Sequence, residues 1–173
     1  MDIPPLYLLG TKQAYFRHCE VHMRIADFLT DQRVSCEYLP HPPAFTAQKR
    51  AKYLHVSGER VGKSVLLVGP TGPLLAVVPA THQVDLESLG MALGGPVRLA
   101  TCRELSEVFR DCEWGVAPPF GRLYGLETLL EASISPDVWL AFETHSHMEA
   151  VRIRCGDFER LERPRRLRLI RAV

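Results

Sequence analysis

The sequence contains no closely spaced cysteine pair. Its five cysteines, Cys19, Cys36, Cys102, Cys112 and Cys155, are far apart and odd in number. That removes zinc ribbons and thioredoxin-type redox motifs from consideration. We read them as reduced thiols, mostly small core residues, in a cytosolic protein. Long apolar runs are missing too: Val65-Leu-Leu-Val68 and Leu74-Leu-Ala-Val-Val-Pro79 are far too short to cross a bilayer. Met1-Asp-Ile-Pro-Pro5 puts no positive region ahead of an apolar stretch, so no signal peptide is expected. There is no excess of either charge, with 21 Lys and Arg against 20 Asp and Glu, and the net balance therefore identifies no partner. GxGxxG, the P-loop, GxSxG and HExxH are all absent, which excludes the common nucleotide and hydrolase signatures. No internal repeat or low-complexity linker breaks the chain.

What is present suits one domain. The 173 residues are 46% apolar and 24% charged, enough to bury a sizeable core. The charge is unevenly spread. Residues 149–173 hold eight arginines against four acids, which points either to phosphate-bearing partners or to a solvated strand face. Residues 1–17 lack a clear period and read as an N-terminal extension. Residues 18–162 read as the domain and 163–173 as an Arg-rich tail.

Within the domain the periodicity alternates between helix and strand. Val21, Ile25, Phe28 and Leu29 predict a helix over 18–32. Residues 34–38 alternate as a strand, and Thr46 is placed to N-cap a helix running to about Leu54. Strands are expected over 63–68 and 74–79, joined by Gly69-Pro-Thr-Gly-Pro73. A helix over 85–93 and a short strand over 96–100 follow. Thr101-Cys-Arg-Glu104 has capping-box spacing ahead of a helix with Leu105, Val108 and Phe109 on one face. Further strands are expected near 122–126, 137–142 and 149–155, the last with Val151, Ile153 and Cys155 on one side and Arg152 and Arg154 on the other. Asp157 is placed to begin a closing helix. Short strands with interspersed helices predict a mixed α/β domain around a curved, barrel-like sheet with flanking helices.

Three features could carry chemistry. Thr144-His-Ser-His147 places two histidines that, on a strand, would point to one side and could hold a metal with a third ligand, His41 or His82. Lys63 opens an apolar strand. It either snorkels to solvent or stands as a fixed cation beside a cleft. Cys112-Glu-Trp-Gly-Val-Ala-Pro-Pro-Phe-Gly121 is a rigid loop with two glycines and two prolines. It is either a structural turn or a wall that turns backbone N–H groups toward a substrate carbonyl.

Taken in order, His41-Pro-Pro-Ala-Phe-Thr-Ala-Gln48, Val61-Gly-Lys-Ser-Val-Leu-Leu67 and Gly115-Val-Ala-Pro-Pro-Phe-Gly121 resemble the YbaK/prolyl-tRNA-synthetase-associated editing domains, over about residues 20–160. The resemblance implies a trans-acting aminoacyl-tRNA deacylase that hydrolyses the ester of a mischarged tRNA, typically tRNA(Pro) carrying a small wrong amino acid such as Ala or Cys. It implies a barrel-like mixed α/β core, no metal and no organic cofactor, and a cytoplasmic place in translation. Lys63 is carried over as the contact to the substrate's phosphate or carbonyl region. Gly115 is carried over as a backbone donor near the ester carbonyl, and Pro119 as the residue that stiffens the loop. His41, Phe45, Thr46, Phe120 and Gly121 are assigned to substrate binding. His145, in a segment where relatives are often glycine-rich, is assigned as a contact to the amino group or the ester, ahead of His147. Pro118 stands where relatives often have Ser or Thr, which removes a hydroxyl and an N–H. The expected partners are the acceptor end of an aminoacyl-tRNA, gripped by the C-terminal arginines, and an aminoacyl-tRNA synthetase, with no membrane. A non-catalytic tRNA- or synthetase-binding module and a metal-dependent hydrolase using His145 and His147 are the alternatives.

Overall fold

The apolar stretch that begins at Val61 folds back on itself as the central hairpin of the sheet. In the computed structural model, which describes residues 25–171, β2 (Val61–Gly69) and β3 (Gly72–Pro79) pair antiparallel from Gly62–Pro79 to Gly69–Gly72. Pro70 and Thr71 form the turn, and Gly72 accepts a φ of 123° that L side chains avoid. Residues 74–79 are all buried, as expected of a strand covered on both faces.

Six further strands extend this hairpin. They are β1 (Glu37–Pro40), β4 (Arg98–Leu99), β5 (Glu127–Glu131), β6 (Trp139–Glu143), β7 (Glu149–Arg154) and β8 (Arg165–Leu167). The order is β1-β7-β6-β2-β3-β5-β8, with β4 paired to β2 outside that path. β2–β6, β3–β5 and β5–β8 are parallel, and the remaining pairs antiparallel. The expected mixed α/β architecture is the one that forms. β1 and β8 are the ends of the strand order.

Five helices flank the sheet, at α1 (Ile25–Asp31), α2 (Ala47–Tyr53), α3 (Leu86–Leu93), α4 (Cys102–Val108) and α5 (Cys155–Glu162). The start of the first helix, expected at His18, lies outside the described residues. The local start signals hold. Thr46 accepts the Lys49 N–H at 3.1 Å, Asp85 accepts from Ser88, and Thr101 with Glu104 forms a complete capping box. Two expected strands differ. The strand placed at 34–38 begins at Glu37, because Arg33 turns into the left-handed region (φ 54°) and the Val34 N–H returns to the Leu29 carbonyl at 3.0 Å. Residues 34–36 are used up as connector. The segment near 122–126 is a 3-10 helix, Gly121–Tyr124, closed by Gly125 at φ 70°, and the strand starts only at Glu127.

Two apolar layers sandwich the sheet. One joins Leu130, Leu140, Phe142, Val151 and Ile153 to α1 and to Phe120 and Phe158. The other joins Leu67, Leu74, Ala76, Val78 and Leu129 to Leu89 of α3 and to Leu169. On β7 the side chains of Val151 and Ile153 are fully buried while Arg154 is exposed, the predicted alternation. Buried Glu131 gathers the end of the chain by accepting the N–H groups of Ser133, Leu169 and Ile170. Of the eight arginines over 149–173, Arg152, Arg160, Arg165, Arg166 and Arg171 are paired with carboxylates. Much of the basic end is therefore already neutralised within the fold.

Candidate functional site

The parallel neighbours β2 and β6 pair through two positions only, Val61 with Ala141 and Gly62 with Phe142. They meet closely there because Gly62 has no side chain: a Cβ would stand 2.2 Å from Phe142 Cε1. Beyond this point β2 continues beside β3 and β6 beside β7, and the next residues are Lys63 on one strand and Glu143 on the other. The fork between them lies near the amino end of β2 and the carboxyl end of β6.

Glu143 organises one side of it. Arg50, from the last turn of α2, donates a hydrogen bond to Glu143 Oε1, and its side chain is only 3% exposed against 15% for Glu143. His147 Nδ1 lies 3.0 Å from the same oxygen. Burial pushes the Glu143 carboxyl up, against the pull of Arg50 and His147, and draws Arg50 down. His147 Nε2 lies 2.8 Å from the Trp114 carbonyl. A carbonyl only accepts, so this nitrogen carries a hydrogen and donates it.

The loop after α4 closes over this chain of contacts. Gly115 adopts φ 86°, and a Cβ there would lie 3.8 Å from His147 Nε2. The Glu113 N–H donates to the His145 carbonyl and Glu113 Oε2 accepts the His147 N–H, both at 2.9 Å. From Val116 to Gly121 the loop is buried, so only its Glu113–Gly115 crest faces outward. Phe45, 70% exposed, packs its ring 4.8 Å from that of His147, and Trp114 on the crest is 65% exposed.

Lys63 is half-buried, and its Nζ donates to the His82 carbonyl. Burial lowers its pKa, and among the described residues no carboxylate lies within ion-pair distance. It is a fixed cation with its charge unspent. No hydrogen bond or ion pair joins it to Gly115 or to either histidine of the 144–147 segment.

The other predicted residues divide. Phe45, Gly115 and His147 come together, and Thr46 adjoins them as the cap of α2. His41 is buried, stacked on Tyr53, with Nδ1 facing the Pro42 carbonyl at 2.8 Å and burial holding its pKa down. Pro119 is buried behind the crest. Phe120 packs in the core against Phe28 and Phe158, and Gly121 is sealed under Thr128, whose Oγ1 would be 2.4 Å from an added Cβ. These two support the loop from behind rather than face a ligand. Nor do the two histidines share a side: 144–147 is a turn between β6 and β7, not a strand. The His145 ring goes to Asp111 Oδ2 at 3.2 Å and to the Tyr124 hydroxyl at 3.4 Å, away from His147. Burial raises the Tyr124 hydroxyl well above its ordinary range and pushes the adjacent Cys112 thiol up to about 12. A cavity of about 330 Å³, lined among others by Tyr38, Asp111, Glu113, His145 and Glu149, opens beside this cluster.

Sequence reasoning missed Arg50, Asp111 and Tyr124, and saw Glu143 only as a neighbour of the histidines. No local signal marks them, since each acts through a partner distant in sequence.

Comparison with known proteins locates this arrangement. The aminoacyl-tRNA editing domain family matches residues 41–161, a span that takes in Lys63, Gly115, Glu143 and His147. No curated protein matches the chain. Among solved structures, that of hypothetical protein APE2540 is similar with a TM-score of 0.74 and 16% identity, covering 85% of this chain and 99% of that one. A structure described as a candidate trans-editing enzyme for prolyl tRNA synthetase has a TM-score of 0.67 and 23% identity, covering 79% of this chain and 87% of that one. At these identities the likeness is one of fold. No helix among the described residues is long and apolar enough to cross a membrane.

Proposed function

We propose that this chain, which belongs to the aminoacyl-tRNA editing domain family, is a deacylase that hydrolyses the ester of a mischarged tRNA in trans. The observation that carries the reading is Gly115. It sits at positive φ on the exposed crest of a buried, proline-stiffened loop, beside His147. Its amide N–H has no partner among the described residues. A donor held in that way serves an oxyanion without reorganising, which is the largest single term in many acyl-transfer enzymes.

The reaction then needs no side-chain nucleophile. Water adds to the ester carbonyl and the negative charge gathers on the carbonyl oxygen. The bond to the ribose oxygen breaks, and a proton from the water ends on that ribose oxygen. Gly115 N–H and the Lys63 ammonium are assigned to the developing charge, with Lys63 assigned also to the terminal phosphate. Arg50, Glu143 and His147 hold the crest through the Trp114 carbonyl. Phe45 and Trp114, exposed aromatics that both contact His147, the latter through its carbonyl, offer faces on which an unpaired terminal base can stack. The substrate assigned is tRNA(Pro) carrying a small non-cognate residue such as Ala or Cys, following the motif resemblance and the described role of the structural neighbour.

A deacylation panel tests this. tRNA(Pro) charged with Ala, Cys, Ser or Pro is incubated with wild type and with Lys63→Ala. The expected result is loss of one mischarged species, slowed about 10²–10³-fold by the substitution, the effect of removing one oxyanion partner. Persistence of every ester at high protein concentration, with salt-dependent tRNA binding retained, would assign a binding module instead.

A further inference from the structure

The cluster on the far side of the loop carries an inference independent of the deacylase reading. Asp111 and Cys112 follow α4, Tyr124 ends the 3-10 helix, and His145 lies in the β6–β7 turn. Asp111 Oδ2 is 3.2 Å from His145 Nε2 and 3.1 Å from the Tyr124 oxygen, which is 3.4 Å from His145 Nε2 and 3.7 Å from Cys112 Sγ. Cys112 Sγ is 3.6 Å from the second oxygen of Asp111. The ligand atoms of Asp111, Cys112 and His145 all lie within 4.8 Å of one another.

Asp111 Oδ2, His145 Nε2 and the Tyr124 oxygen lie 3.1–3.4 Å apart, and Cys112 Sγ adjoins them, 3.7 Å from the Tyr124 oxygen and within 4.8 Å of the His145 ligand atom, spacings that one ion can bridge. The centre of a tetrahedron with corners about 3.4 Å apart lies roughly 2.1 Å from each, the length of a zinc bond to nitrogen or oxygen and slightly under that to sulfur. The donors are one imidazole, one sulfur, one carboxylate and one hydroxyl. A hard cation such as Mg²⁺ or Ca²⁺ takes oxygen donors, whereas mixed N, S and O in tetrahedral array suits Zn²⁺.

We propose that Asp111, Cys112 and His145 bind one zinc ion, with the Tyr124 hydroxyl as the fourth donor. Binding displaces the proton of the Cys112 thiol to solvent and requires His145 to carry its hydrogen on Nδ1, leaving Nε2 for the metal. The ion clamps the chain three residues before Gly115 to the turn that carries His147. It acts as a brace for the loop, not as a reactant.

The test uses the full chain, stripped of metal and kept reduced, titrated with Zn²⁺ or Co²⁺. Expected are one zinc per chain retained through gel filtration, a thiolate-to-cobalt charge-transfer band, and a zinc-dependent rise in Tm. Cys112→Ser and His145→Ala each weaken binding by at least about 10–100-fold, a loss that altering even an outer partner of a metal ligand produces. Cys102→Ser, at an exposed cysteine, leaves binding unchanged. A cobalt spectrum without the thiolate band, or zinc retained equally by Cys112→Ser, overturns the proposal and leaves the cluster a hydrogen-bonded network around Asp111.

Discussion

Replacing Arg50 by Met removes a buried cation while keeping much of its apolar length. In the wild type its guanidinium faces Glu143 with almost no solvent, at 3% and 15% side-chain exposure. The substitution leaves only His147 beside a carboxylate whose ionised form burial already disfavours. Breaking a buried pair from one side costs about 3–5 kcal/mol, because an uncompensated charge remains. For a chain of this size that is a fall in Tm of roughly 6–20 °C. The cost depends on pH, and the sign follows from Glu143. Its folded pKa lies above the unfolded value, so protonation relieves the fold as pH falls and ionisation burdens it as pH rises. The Arg50→Met penalty is therefore largest near about pH 8 and shrinks toward about pH 5. Adding Glu143→Gln to Arg50→Met removes that carboxylate charge and recovers much of the loss, so a double-mutant cycle shows strong coupling. Urea denaturation of all four proteins at both pH values is the assay. A penalty under about 1 kcal/mol near pH 8, the range of an exposed pair, or one that does not shrink on acidification, refutes the reasoning.

Two further substitutions test the frame of the site. Gly62→Ala drives a methyl into Phe142, a fully buried ring packed on Phe158. Overpacking of this kind costs about 3 kcal/mol, and because the clash falls where β2 meets β6, chemical denaturation should show the loss while Gly58→Ala, which meets only the Thr81 methyl, costs less. Glu162 is 2% exposed and burial pushes its carboxyl up to about 7, although Thr128 and the Arg122 N–H donate to it. Its ionisation thus weakens the fold as pH rises through neutrality. Glu162→Gln, which cannot ionise, should flatten this part of the stability profile by on the order of 2–3 kcal/mol between about pH 5 and pH 8. Parallel profiles for the two proteins would show that Glu162 does not carry the shift.

The divide between what could and could not be read from the chain follows from distance along it. The caps at Thr46 and Thr101, the turn at Gly69–Gly72 and the alternation of β7 were legible because each is settled by residues within a few positions. The Gly115–Gly121 loop was legible as rigid for the same reason: proline fixes φ and glycine accepts 86° whatever lies elsewhere. Its exposure was not. Phe120 is assigned to substrate binding from the sequence, and only Phe28 and Phe158 make it a core residue. Charges were least legible of all. Arg50 on a short helix reads as a solvated cation until Glu143, 93 positions later, is brought against it. The histidines show the same limit in reverse, since their spacing promised a shared ligand only if the segment were a strand. As a turn it sends His147 to the crest and His145 to Asp111. A motif built on backbone constraint survives folding unchanged in meaning, whereas a charged or aromatic side chain acquires its meaning from the partner the sheet supplies.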